Sequence, residues 1–122
     1  MPSSKEIRTA IRVLEEFKRI DPDITLPSIL AFLYYAERDG EAGNQYAMEQ
    51  WLDMSTATAS RATAHWLKFK RPKYPGLDMV ESIPDPEDRR YKMITLNRRG
   101  LEFVQKIESA VKAESKTIVP TD

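Results

Sequence analysis

The chain has 122 residues, enough for one hydrophobic core and too few for two. Hydrophobic content of 41% and charged content of 31% exclude a wholly disordered chain, and the absence of cysteine excludes a disulfide scaffold, thiol catalysis, thiol-based sensing and a zinc finger. With 19 Lys and Arg against 19 Asp and Glu, attraction to a polyanion must come from where the charges lie, not from the net charge.

The opening Met1-Pro2-Ser3-Ser4-Lys5 leads into charged, helical spacing and not into an apolar signal core. Over residues 4–20, Ile7, Ala10, Ile11, Leu14 and Phe17 recur three and four apart, which predicts an amphipathic helix capped by Ser4. Val13 and Ile20 widen its apolar side, so it has surface to spare for a partner subunit. Asp21-Pro22-Asp23 breaks the chain. A second helix is predicted over 26–38, with Pro27 in its first turn and Ile29, Leu30, Phe32, Leu33 and Tyr34 in the core. The apolar run at 29–36 is too short to span a bilayer, and no membrane partner is expected.

After a polar, glycine-containing loop to Asn44, a short helix over 45–54 presents Ala47, Met48, Trp51 and Leu52. Ser55 reads as the N-cap of another helix running to about residue 69. Two short helices joined at Asp53-Met54-Ser55 fit a helix-turn-helix. Arg71-Pro72-Lys73-Tyr74-Pro75-Gly76 reads as loop, and residues 77–96 as a β-hairpin turning at Asp85-Pro86-Glu87-Asp88-Arg89-Arg90. Asn97 is the predicted N-cap of a last helix, 97–113, with Leu101, Phe103, Val104, Ile107 and Val111 on its apolar side; beyond it the tail is expected to fray.

Residues 55–77 hold Arg61, Lys68, Lys70, Arg71 and Lys73 and no acid, while carboxylates crowd at Glu15, Glu16, Asp21, Asp23, Glu37, Asp39, Glu41, Glu49 and Asp53. That polarity predicts one basic face on an acidic body. If Ala59, Ala62 and Trp66 face the core, Ala57, Ser60, Arg61, Ala64 and Lys68 point outward, with Thr56, Thr58 and His65 on the flanks. Small hydroxyl residues at the start of such a helix allow close approach to the major groove of DNA, where Ser55, Thr56, Thr58 and Ser60 bond base edges or phosphates, the methyls of Ala57 and the threonines meet thymine methyls, and Arg61 reaches guanine or phosphate. At the hairpin tip, Arg90 suits the narrow minor groove, Asp88 aims it, and Arg89 and Lys92 sit on phosphates, as do Lys68, Lys70, Arg71 and Lys73, while His65 is a phosphate or base contact or simply exposed.

Four segments resemble, in order, those of the multiple-antibiotic-resistance regulator (MarR) family of bacterial winged-helix transcription factors. They are Thr25-Leu26-Pro27-Ser28-Ile29-Leu30, Met54-Ser55-Thr56-Ala57-Thr58-Ala59-Ser60-Arg61, Asp85-Pro86-Glu87-Asp88-Arg89-Arg90, and Leu96-Asn97-Arg98-Arg99-Gly100. In the third, the family's Asp-x-Arg falls on Asp88 and Arg90. The resemblance implies a homodimer joined through its terminal helices on a pseudo-palindromic operator, often a repressor released by a small aromatic effector. It implies action in the bacterial cytoplasm, for a host or a phage protein.

The expected fold is therefore α+β and mainly helical: one winged helix-turn-helix domain over 1–122, with a two-stranded wing. Residues 26–96 form the DNA-binding lobe, and the terminal helices dimerise through Ile7, Ile11, Leu14, Phe103, Ile107 and Val111. The expected partner is double-stranded DNA, with no cofactor and no metal. A single histidine, no cysteine and no Gly-rich phosphate loop leave no triad, metal site or nucleotide motif, and the acids of Asp21/Asp23 and Asp85/Glu87/Asp88 belong to turns, so no enzyme is expected. Phe32, Tyr34, Tyr35, Tyr46 and Trp51 are alternatives between core and the lining of an effector cleft between the dimer helices and the DNA-binding lobe. Two other functions fit the same residues: a replication-initiation, phage or plasmid DNA-handling winged helix, and a winged helix that docks proteins.

Overall fold

Ser4 starts the first helix as its composition requires: its hydroxyl accepts the Ile7 amide, and α1 runs Lys5–Ile20. In this computed structural model, which describes residues 4–38, 41–85, 87 and 92–116, the chain forms two compact units, one of Met1–Ile24 with Glu102–Asp122 and one of Thr25–Leu101.

In the first unit, Phe17 of α1 and Phe103 of α5 (Arg98–Lys116) meet edge to face with centroids 5.0 Å apart. Ile7, Ile11 and Leu14 remain exposed, as does Val111, whereas Phe103 and Ile107 are buried within the chain itself. Of the residues expected at a dimer contact, these last two are therefore already committed to the chain's own packing. Asp21 ends α1 in extended geometry, and its side chain accepts the Asp23 amide in an Asx turn.

The second unit is built on α2 (Leu26–Ala36), α3 (Gln45–Leu52) and α4 (Thr56–Ala64). Thr25 caps α2 by accepting from the Ser28 amide. The buried face of α2 is Ser28, Ile29, Ala31, Phe32, Tyr34 and Tyr35. Leu30 and Leu33, expected in the core, are only half-buried, because the helix turns Ala31 and Tyr35 inward instead. From α3 only Met48 and Glu49 are buried; Ala47 is exposed and Trp51 is 72% exposed, so the apolar face read into that helix does not form. Met48, Ala59, Ala62 and Trp66 are buried, as are Val80 and Ile94 of the sheet.

A three-stranded antiparallel sheet, in the order β1-β5-β4, carries the wing. Strands β4 (Val80–Pro84) and β5 (Lys92–Leu96) pair from Val80↔Leu96 to Pro84↔Lys92. The third strand, β1 (Gly43–Asn44), lies in what reads as loop; it pairs Gly43 with Ile94 and Asn44 with Met93. Asn44 also caps α3 by accepting the Ala47 amide, so one residue fixes both the sheet edge and the helix start.

Two further differences matter for the site. The last helix of the helix-turn-helix stops at Ala64, not near residue 69, and the segment 71–76, expected as loop, is partly strand: β2 (Phe69–Arg71) and β3 (Tyr74–Pro75) form a small antiparallel ribbon. The returning chain takes the carbonyls of the four residues that follow the helix. Leu77 donates to His65, Met79 and Val80 to Trp66, Asp78 to Leu67 and Gly76 to Lys68, which satisfies them better than further helix would. Gly76 is required there, since a Cβ would lie 2.1 Å from the Leu67 carbonyl oxygen.

Candidate nucleic-acid interface

The turn between α3 and α4 is fixed by backbone. Asp53 takes the left-handed conformation (φ 53°), Met54 donates to the Glu49 carbonyl and Asp53 to that of Gln50, the paired bonds of a Schellman ending. Ser55 then caps α4: its hydroxyl accepts the Thr58 amide at 3.1 Å and donates to the Thr58 hydroxyl at 3.0 Å. The Thr56 hydroxyl donates to Glu49 at 2.9 Å, giving a carboxylate that is 6% exposed its partner. Two of the hydroxyls expected at DNA thus also hold the turn, and both residues stay exposed.

Beneath α4, the indole of Trp66 is fully buried, donates to the Ser28 carbonyl at 2.7 Å and stacks obliquely on Phe32. Thr63, buried beside it, shares a 2.9 Å hydrogen bond with the Tyr35 hydroxyl. Burial raises the Tyr35 phenol well above its usual range, against the smaller opposing effect of that hydrogen bond. With its inner face clamped this way, α4 presents Thr56, Ala57, Ser60 and Arg61 outward and keeps Thr58, Ala64 and His65 half-buried.

The ribbon continues this surface. Lys68, Lys70, Arg71 and Lys73 are all exposed, and the Arg71 guanidinium lies 4.0 Å over the Tyr74 ring. Between ribbon, α4 and the start of α2 lies a groove of about 740 Å³. Arg61, His65, Lys70 and Arg71 line it with Thr58 and Tyr74, and among the described residues no carboxylate does. The sequence reading missed the contribution of Thr25, Pro27 and Ser28 to this groove; Pro27 was placed in the first turn of its helix, but the nearness of these residues to α4 was not visible. On the wing, Lys92 is exposed at the first position of β5. Asp85 accepts the Glu87 amide through one oxygen and the Asn44 side chain through the other. Asp88, Arg89 and Arg90 lie outside the described residues. Of the aromatics weighed for a ligand cleft, Phe32, Tyr34 and Tyr35 are core, and Tyr46 and Trp51 are exposed. Among the described residues no helix is long and apolar enough to cross a membrane.

No family model and no curated protein matches the chain. Solved structures do. The chain superposes on the crystal structure of MarR with a TM-score of 0.62 at 17% identity, covering 91% of this chain and 71% of that one. On RV1404 from Mycobacterium tuberculosis the TM-score is 0.69 at 14% identity, over 98% and 85%. On S. aureus MepR in complex with DNA it is 0.66 at 19% identity, over 92% and 82%. The chain has the MarR-like winged-helix fold.

Proposed function

We propose that this chain is a sequence-specific regulator of transcription that binds double-stranded DNA as a homodimer in the bacterial cytoplasm and represses by occupying a promoter. The observation that carries the reading is the acid-free face of α4 and the ribbon: Ala57, Ser60 and Arg61 exposed on the helix, Lys68, Lys70, Arg71 and Lys73 beside it. The helix enters the major groove, where a small-residue surface permits close approach and Arg61 reads guanine or a phosphate. The wing follows into the adjacent minor groove, Arg90 at its tip, with Arg89 and Lys92 on phosphates. The exposed Ile7, Ile11, Leu14 and Val111 pair two copies, so that two reading helices meet a site with two-fold symmetry. MepR, of the same fold, was solved with DNA, which supports the reading.

Footprinting of the purified protein on genomic DNA tests it. The expected result is a protected, pseudo-palindromic site at a promoter. Arg61→Ala and Arg90→Ala are each expected to weaken binding there by about 1–3 kcal/mol. Protection of a replication origin, or no protection with salt-independent binding to duplex DNA, refutes the regulator reading.

A further inference from the structure

The ribbon β2–β3 is a built element and not a loose source of cations. Its base is hydrogen-bonded to the segment that joins α4 to β2, with Gly76 donating to Lys68 and Leu77 to His65. Its one arginine is stacked on Tyr74, which uses the face of the guanidinium and leaves the N–H edge for an oxyanion. At its tip, Pro72 is followed by Lys73 at φ 71°, the position of a type II turn that favours glycine. A lysine held in that conformation keeps a charge at the tip at a cost in backbone strain.

We propose that this ribbon is a second wing, and that the groove between it, α4 and the start of α2 takes the sugar-phosphate backbone of one strand of duplex DNA, held between Arg61 on the helix and Lys70 and Arg71 on the ribbon. The inference rests on the DNA-binding reading above. The occupant is a polyanion and not a small anion because the cationic surface does not end at the groove: Lys68, next to β2, and Lys73, at the ribbon's turn, lie outside its lining and are both exposed. The ribbon adds affinity without sequence preference, since backbone contacts carry no base information.

The test is the salt dependence of binding to a short random-sequence duplex and to a footprinted site, for wild type and for Lys70→Gln/Arg71→Gln/Lys73→Gln. All three residues are exposed, and far-UV circular dichroism with a thermal melt checks the fold. Each lost phosphate contact flattens the plot of log K against log salt by about 0.9. The triple variant is therefore expected to lose about 2–3 units of slope on both duplexes. It should also lose hydroxyl-radical protection on one stretch of backbone while keeping protection of the bases. A triple variant with the wild-type slope and the wild-type backbone footprint overturns the second wing and leaves the regulator reading intact. A wild type with no salt dependence overturns both. Lys73→Gly serves as a control for folding, because it relieves the turn: it should melt no lower than wild type and still lose about one unit of slope.

Discussion

Thr63→Val puts the clamp under α4 to a quantitative test. Valine has nearly the shape of threonine and a similar helix propensity, so the change removes one hydroxyl from a site that is 1% exposed and little else. The Tyr35 hydroxyl, 2.9 Å away in the wild type, is then buried with its partner gone. A buried hydroxyl in that condition costs about 1–3 kcal/mol. Tyr35→Phe strands the other group, but a threonine in a helix can bond the carbonyl four residues earlier. That variant should lose only about 0.5–1.5 kcal/mol. With both changed, two apolar groups of similar shape face each other and the loss should fall well below the sum of the singles. Urea unfolding followed by circular dichroism reads this as a shift in midpoint at constant slope. A Thr63→Val variant within about 0.5 kcal/mol of wild type, or a double variant equal to the sum, refutes the clamp.

The same phenol sets a pH limit. Its pKa is 10.0 when exposed and higher in the fold, so its contribution is complete below pH 10 and is lost as pH climbs from there toward the folded value. Stability should drop by about 1.4 kcal/mol per pH unit from this group, and Tyr35→Phe should unfold less steeply above pH 10 in parallel urea titrations. Asn97→Ala removes a cap that accepts the Gly100 amide at 2.9 Å and donates to the Asp78 carbonyl at 3.0 Å; a loss of about 1–2 kcal/mol is expected, read as a lowered melting temperature. Gly100→Ala places a Cβ 2.1 Å from the Met79 carbonyl oxygen, so the start of α5 must shift. A loss of about 1–3 kcal/mol is expected, and a neutral result would show that the helix start gives way freely.

The helix starts were legible in the sequence because each is written by one side-chain oxygen acting over three residues: Ser4 on Ile7, Ser55 on Thr58, Asn97 on Gly100. The burial of Ala59, Ala62 and Trp66 was legible for a similar reason, since helical period alone places them on one side. The end of α4 was not. Residues 65–68 have ordinary helix propensity, and what stops them is a set of bonds from residues 76–80, a tertiary effect with no local mark beyond Gly76. The ribbon was hidden by its prolines. Pro75 reads as a strand breaker, yet in a two-stranded ribbon it needs no amide toward solvent. Strand β1 was hidden by its length of 2 residues. The bonds that the Ser55 and Thr56 hydroxyls make to Thr58 and Glu49 were not legible in the sequence, because the Glu49 carboxylate reaches Thr56 only through the turn between the two helices.

The two tryptophans sit at opposite extremes, Trp51 at 72% exposure and Trp66 at 0%. Their emission should therefore separate: a red-shifted component that acrylamide quenches, and a blue-shifted component that it does not reach. Because Trp51 precedes α4 and Trp66 follows it, an unlabelled sample carries two optical gauges. The outer indole registers whatever arrives at that side of the surface, and the inner one registers only loss of the packing beneath it. Anything that dims the first while leaving the second unchanged has docked without disturbing the scaffold.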